Sequence, residues 1–465
     1  MSVRGVQSLR CLACACIVFF CAAAPALPQQ AAGLTLEEAL RLARTSSEAI
    51  RIRELAVQKS RLAVDEASGK AWPHVDLGLS GSYLVYPPTG YTVTKGQLAG
   101  PPTIPFLIPD MDFNIGSQLH NYFSVSATLS QPLFTWGRIR NAIDAAALQV
   151  DSAGTDLVTQ RRDIDREVHR AYFGALLAQE SVKVLRGIAG SAAQVVADRQ
   201  TALDQGSITR EAVLEAASRR AQIQARLAEA VQSNATALES LGILTGLDSS
   251  AIGLATGFGA SAPSPDEQSL RARALDASTD VAASQTRQSL AQKKLSIEKG
   301  GSILRPDVSL GVSFGVTGQE DIPYAGWQWN NSTWSWDLVV SLAVKMSVFD
   351  GMESVARIGQ AEKDAEAAGM AVQQARKLAR LAVRRAVDAS VKAEADLGEK
   401  LAQEEYMAER MKNAQVSVQN GMSSREDLHG AEILFGSAQL DRLLAQFTRE
   451  EAHADIAHLT GEMTP

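Results

Sequence analysis

Residues 304–316 read Leu-Arg-Pro-Asp-Val-Ser-Leu-Gly-Val-Ser-Phe-Gly-Val, and this stretch decides the fold. From Val308 to Val316 every second residue is apolar, and the residues between are serine or glycine. Because side chains alternate between the two faces of a β-strand, this pattern puts all the apolar groups on one face. The stretch therefore predicts a strand with one apolar side and one small or polar side.

The same alternation recurs in three more segments, so four strands are predicted. Each is about as long as a tilted membrane strand requires, and strands patterned in this way form outer-membrane barrels. Past residue 26, no apolar run approaches the roughly 18–20 residues of a membrane helix. Four half-buried strands of a soluble sheet would alternate equally well and remain the alternative. The approximate bounds are 74–86, 122–133, 307–316 and 337–348.

The tryptophans favour the membrane interpretation. All of them lie at the ends of predicted strands or in the adjoining loops. Indole rings prefer the lipid–water interface, whereas loop aromatics that pack on a soluble core are the alternative. The predicted interfacial residues are Trp72, Trp136, Trp327, Trp329, Trp334 and Trp336.

Long helices are predicted between the strands. No proline occurs from Leu133 to Ala262 or from Tyr324 to Thr464, and both regions are rich in good helix formers. The segment from Gly137 to Gly206 would span roughly 100 Å as one helix. A helix of that length cannot fold onto a compact core and needs other helices beside it.

The chain also repeats itself. Each half reads helix, strand, loop, strand, long helix, turn and helix, which predicts a first repeat at 34–246, a linker at 247–265 and a second repeat at 266–462. The matched segments are 71–79 with 304–312, 131–137 with 346–351, 206–211 with 421–426, and 244–246 with 459–461.

The first 26 residues read as a secretory signal peptide. Arg4 and Arg10 precede an apolar stretch that ends in Ala24-Pro25-Ala26, a small-residue cleavage site. All the cysteines lie within this segment, so we expect no disulfide or cysteine–metal site in the exported chain. Phe20 disfavours lipid attachment at Cys21, its neighbour. The net charge of −7 and the scattered basic residues argue against nucleic acid as a partner.

Taken in order, these motifs resemble those of the TolC-like outer-membrane efflux proteins, the outer membrane factors. The resemblance covers about residues 34 to 462. It is carried by the opening helix Leu34–Leu40, by Pro73 and Pro306 before strands, by Gln131–Phe134, and by the paired turns and Leu-Thr-Gly closings.

The resemblance implies a mixed α+β membrane protein with two internal repeats. Each chain of a homotrimer would give four strands to a twelve-stranded outer-membrane β-barrel, continued by a long α-helical barrel in the periplasm. The protein would be the exit duct of a tripartite efflux or type I secretion system. Small molecules or polypeptides would reach it from a periplasmic adaptor (a membrane fusion protein) and an inner-membrane pump.

The two helix-hairpin tips are the candidate docking and gating site. Glycine suits a turn that needs positive φ, and threonine or serine can cap the following helix. An ordinary hairpin turn without a partner is the alternative. The predicted adaptor-docking residues are Gly206, Thr209, Glu211, Gly421, Ser424 and Glu426.

Asp427 is predicted at the periplasmic constriction, because the resemblance implies an acidic ring near the second tip. Three carboxylates around the axis would favour cations. A simple helix-start acid is the alternative interpretation. Ser423 and Ala212 stand where the family prototype has an arginine and its acidic partner, so that closed-state ion pair is not expected here.

Motifs for enzymes and metal sites are weak. Gly311-Val-Ser-Phe-Gly315 matches a hydrolase elbow, but Ser313 falls inside a predicted strand rather than at a strand-to-helix turn. Asp110, Asp112 and Asn114 lack the remaining residues of a calcium loop. We therefore predict no enzymatic activity, no cofactor and no metal. The functional alternative is a periplasmic α-hairpin adaptor, or a structural protein without its own channel.

Overall fold

The protein is described by a computed structural model that covers residues 33–83, 85, 91–93, 113–115, 121–259, 267–320 and 334–462. The signal peptide predicted at 1–26 and the predicted interfacial Trp327 and Trp329 lie outside these residues. None of the helices in the described ranges combines the length and the apolar character that a membrane crossing needs.

The alternating segments form one antiparallel sheet in the order β1–β4–β5–β6, which leaves β1 and β6 as its edges. Two short strands, β2 and β3, pair separately. The strands are β1 (His74–Tyr83), β2 (Tyr91–Val93), β3 (Phe113–Ile115), β4 (Asn121–Phe134), β5 (Asp307–Glu320) and β6 (Trp334–Lys345).

The register of the sheet keeps the two faces separate across all four long strands. Leu77 pairs with Ala127, which pairs with Phe314, which pairs with Leu338. This alignment continues the apolar face from one edge to the other, as the alternation predicts. Leu77 and Leu338 are 68% and 60% exposed, so this face is not covered within one chain.

The last strand ends three residues earlier than predicted. The alternation suggested a strand at 337–348, whereas β6 runs from Trp334 to Lys345. The neighbouring strand β5 begins at Asp307, which pairs with Lys345, so β6 has no ladder partner beyond that point. Beyond Lys345 a turn contact replaces the ladder, in which the Ser347 carbonyl accepts the amide of Leu304 at 3.1 Å.

Four long helices form the body of the protein as two hairpins of matching size. The first helix of each hairpin has 67 residues and the second has 36. At 1.5 Å per residue the longer ones extend about 100 Å, as predicted. The four long helices are α3 (Arg138–Asp204), α4 (Arg210–Thr245), α7 (Glu353–Gln419) and α8 (Arg425–Thr460). The first hairpin, α3 and α4, packs against the second, α7 and α8, through α3 and α8.

Shorter helices pack along the long ones and build the core midway between sheet and tips. Leu270 of α5 packs with Val383 and Ile456 in one cluster, while residues of α1 pack on α3 in another. Arg44 and the fully buried Asp165 join α1 to α3 through two hydrogen bonds of 2.8 and 2.9 Å. These helices are α1 (Leu36–Ser46), α2 (Glu48–Gly69), α5 (Glu267–Ala277) and α6 (Thr279–Gly300).

The segment predicted as a linker packs on this core as far as it is described. Leu254 forms a parallel β-bridge with Leu34, at the start of the first repeat. The buried Tyr172 hydroxyl donates to the Leu34 carbonyl and accepts from the Thr256 amide, both at 2.8 Å. The first part of the segment is therefore held against α3 rather than spanning freely between the halves.

Candidate functional site at the hairpin tips

Both tips use the same turn. Gly206 and Gly421 have φ values of 73° and 68°, the left-handed region that glycine adopts without steric cost. The next residue donates its amide back to the last helical turn, from Ser207 to Ala202 at 2.9 Å and from Met422 to Ser417 at 2.8 Å. The repeat in sequence is thus a repeat in backbone geometry, and each tip is a tight reversal at the end of its hairpin.

The return helices begin with side-chain caps. The Thr209 hydroxyl accepts the amide of Ala212 at 3.4 Å. Ser424 and Asp427 form a reciprocal capping box, in which each side chain accepts the other residue's amide at 3.1 Å. Hydrogen bonds from the Ser424 hydroxyl and amide lower the pKa of Asp427, so this exposed carboxylate stays charged at mildly acidic pH.

One arginine joins the two hairpins just above the tips. Arg199 of α3 donates to Glu426 of α8 at 2.9 and 2.6 Å, and its other nitrogen donates to the Ala212 carbonyl of α4 at 2.8 Å. Glu215 approaches the same guanidinium at 3.4 Å. Only 19% of the Arg199 side chain is exposed. Glu426, one of the predicted docking residues, therefore already has a partner within its own chain.

A second polar cluster lies beside this pair, on the same α3–α8 seam. His429 contacts Glu432 at 3.0 Å and lies 3.8 Å from Asp198, and Ser191 donates to Glu432 at 2.6 Å. Burial alone would raise the pKa of Glu432, but hydrogen bonds from His429 and Ser191 outweigh it and the pKa is lowered. Near the tips, the seam between the hairpins therefore contains a cluster of polar and titratable side chains.

The family's closed-state ion pair was not expected here, because Ser423 and Ala212 occupy the positions of its two residues. The structure instead has an ion pair near the tips between two other residues, Arg199 and Glu426. Arg199 lies in the last turns of a helix that carries many other charges, so the sequence alone does not single it out. Glu426 lies 227 residues from it. Only the close packing of α3 on α8 brings the two together.

The aromatic residues described near the sheet have unequal environments. Trp72 and Trp336 are 70% and 73% exposed, and Trp336 lies on the apolar face of β6. Trp334 begins that strand. Trp136 has contacts within the chain, because its indole donates to the Pro306 carbonyl at 3.0 Å and Arg305 lies 5.3 Å from its ring centre.

Ser313, the centre of the hydrolase-like motif, lies within β5 and pairs with Thr128 on one side and Val339 on the other. A nucleophile elbow requires a sharp turn between a strand and a helix. The local geometry of this serine is therefore that of an ordinary strand residue on the polar face.

Comparisons with known proteins agree with this architecture. The family model described as outer membrane efflux protein matches residues 39–247 and 270–462, one segment for each repeat. The Campylobacter jejuni CmeC outer membrane channel superposes with a TM-score of 0.73 at 14% identity, covering 92% of this chain and 85% of that one. No match was found among curated protein sequences.

Two further crystal structures share the fold over nearly their full length. A membrane protein from Pseudomonas aeruginosa has a TM-score of 0.71 at 18% identity, covering 92% of this chain and 93% of that chain. The outer membrane protein VceC from Vibrio cholerae has a TM-score of 0.69 at 16% identity, with 92% and 96% covered. The predicted fold class is confirmed by these superpositions.

Proposed function

The chain belongs to the outer membrane efflux protein family and is an outer-membrane exit duct with its helical part in the periplasm, and from this premise we propose how it assembles, docks and opens. Three copies close one twelve-stranded barrel. The open edges β1 and β6 support this, because unpaired strand edges are costly in lipid. The exposed apolar face of the sheet then contacts lipid, with Trp72 and Trp336 at the interfaces.

We propose that the two tips dock a periplasmic adaptor, which is itself driven by an inner-membrane pump. The observation that carries this proposal is the identical, exposed turn at the far end of each hairpin, about 100 Å of helix away from the sheet. Met422 at the second tip is 72% exposed.

The entrance opens, in this proposal, when α3 and α8 separate at their tips. The Arg199–Glu426 pair holds the seam closed, and the exposed Asp427, whose pKa is lowered by its hydrogen bonds to Ser424, lines the constriction and favours cations. The cargo is small molecules or polypeptides selected by the pump, and the duct has no catalytic step. The apolar sheet face argues against a soluble adaptor, which would have no lipid to cover it.

Site-specific photo-crosslinking tests the docking site. A photoreactive residue at Met422 should capture a periplasmic adaptor in cells that make both proteins. Met370 is the matched control, because it is also an exposed methionine at 61% but lies within α7, far from the tip. Capture through Met370 and not Met422 would place the adaptor on the wall of the duct and overturn tip docking.

A further inference from the structure

The two open edges of the sheet carry opposite charges on the same face. Asp76 lies on β1 and Lys345 on β6, and both belong to the small or polar row of their strands. We propose that Lys345 of one protomer pairs with Asp76 of the next, so that this ion pair restricts the register of the junction between protomers. The inference rests on the proposed three-copy assembly and names the residues that join its sheets.

Within one chain both charges are available for such a contact. Asp76 and Lys345 are exposed, and the described parts of the chain place no opposite charge within ion-pair distance of either. Lys345 does pair in register with Asp307 of β5. That carboxylate, however, is engaged by Arg138 at 2.6 Å. A cation at the sheet edge is therefore left without compensation until another chain covers the edge.

The direction of the strands restricts the junction. Neighbouring strands in the sheet are antiparallel throughout, so β1 of a second copy continues the pattern only if it runs antiparallel to β6. His74 and Lys345 are the residues at the helical ends of these two edges. Aligning those ends puts Lys345 opposite His74 of the second copy and diagonal to Asp76, within reach of a long side chain.

The faces of the strands restrict the register further. A slip by one residue would place Asp76 in the apolar row beside Leu342 or Val344, which buries a charge in lipid. A slip by two residues in one direction puts Asp76 directly opposite Lys345, and in the other direction beside Ser341. Charge complementarity favours the registers in which Asp76 and Lys345 are neighbours.

The stagger of the sheet agrees with this alignment. Across the protomer, the first residue of β1, His74, lies level with Ser130, then with Gly311, then with Ser341 of β6. Because β6 continues to Lys345, it reaches four residues beyond the start of β1 in the direction of the helices. Strands of a closed barrel are tilted, and tilt requires such a stagger between the first and last strands of a repeating unit. The residue that reaches the junction at that end of β6 is Lys345.

Cysteine cross-linking tests the register. The double variant Asp76→Cys/Lys345→Cys, treated with a short thiol-specific cross-linker, should give covalent dimers and trimers on a denaturing gel. Asp76→Cys/Asp337→Cys is the matched control, because Asp337 is on the same face of β6 but eight positions away. Wild-type protein treated in parallel reports any contribution from the chain's own cysteines, which all lie between residues 11 and 21.

The outcomes separate this inference from the proposed function. Light scattering in detergent first establishes whether the wild-type protein and both variants are trimers. Trimers that cross-link through residue 345 and not 337 support the junction. Trimers in which the control pair links equally well, or neither pair links, overturn the junction and leave the duct intact. Absence of trimers overturns the proposed assembly itself.

Charge reversal tests the ion pair. Lys345→Glu should abolish most of the trimer band in SDS at a temperature where the wild type keeps it, because two carboxylates then face each other. Asp76→Lys combined with Lys345→Glu should restore the band. A double variant no more stable than the single variant would show that these charges do not meet.

Discussion

Replacing Arg199 by glutamine should loosen the closed entrance more than any other single charge removal near the tips. The substitution removes both hydrogen bonds to Glu426 and the bond to the Ala212 carbonyl. Glutamine keeps much of the aliphatic length, so packing along α3 changes little. The lost bonds to Glu426 join the first hairpin to the second, whereas the bond to Ala212 lies within the first hairpin.

The size of the effect follows from the exposure of the two partners. The Arg199 side chain is 19% exposed and Glu426 is 40% exposed. Fully exposed pairs contribute about 0.2–1 kcal/mol, and breaking a buried pair costs about 3–5 kcal/mol. This half-buried, doubly hydrogen-bonded pair should lie between, at about 1–2 kcal/mol per protomer. That corresponds to roughly a 5–30-fold shift toward separated tips.

The open fraction of single channels in planar bilayers measures this shift. Arg219→Gln is the matched control, because the ion pair of Arg219 is with Glu215 of its own helix and its side chain is 70% exposed. We expect Arg199→Gln to raise the open fraction and Arg219→Gln to leave it near the wild-type value. High salt should narrow the difference by screening the wild-type pair. Equal open fractions for the two variants would refute the role of the α3–α8 seam in gating.

Three other predictions concern the sheet face, acid stability and ion preference. Val125→Arg on the apolar face should block stable insertion, at a penalty of about 2–4 kcal/mol near the bilayer midplane. Ser126→Arg on the opposite face should still insert. Equal insertion of the two variants in an outer-membrane fractionation assay would contradict the assignment of the two faces. Burial lowers the pKa of His169 to about 4. In the unfolded chain the His169 imidazole takes up a proton below its ordinary pKa near 6.5, whereas in the folded chain it does so only below about pH 4. His169 should therefore make unfolding about 2 kcal/mol easier at pH 5 than at pH 7, and His169→Gln should reduce the difference between the two pH values by that amount in a thermal melt. Asp427→Asn should weaken cation selectivity in bilayers without affecting assembly, while Asp388→Asn, an exposed acid within α7, should not; unchanged selectivity in both would leave Asp427 as a capping residue only.

The elements that the sequence predicts well are those set by local pattern. Strict alternation from Val308 to Val316 fixes a strand and its apolar face without knowledge of its neighbours. The absence of proline over more than a hundred residues permits the 67-residue helices, and Gly206 and Gly421 mark their ends. Each of these features depends on residues close together in the chain.

The features that escaped prediction depend on distant partners. β6 ends at Lys345 because β5 begins at Asp307, a fact about pairing that the alternation of β6 does not contain. The docking of the inter-repeat segment on Tyr172 and the Arg199–Glu426 pair likewise join residues far apart in sequence. Charged residues are common on every long helix here, so composition cannot tell which of them will meet.

Electrical recording on the purified protein tests the central claim most directly. Protein extracted from the outer-membrane fraction in detergent and added to a planar lipid bilayer should produce long-lived, uniform conductance steps, each from one trimer. The same sample should run as a single trimeric species by light scattering. A water-soluble monomer that purifies without detergent and leaves the bilayer silent would contradict the assignment of this chain as an outer-membrane duct.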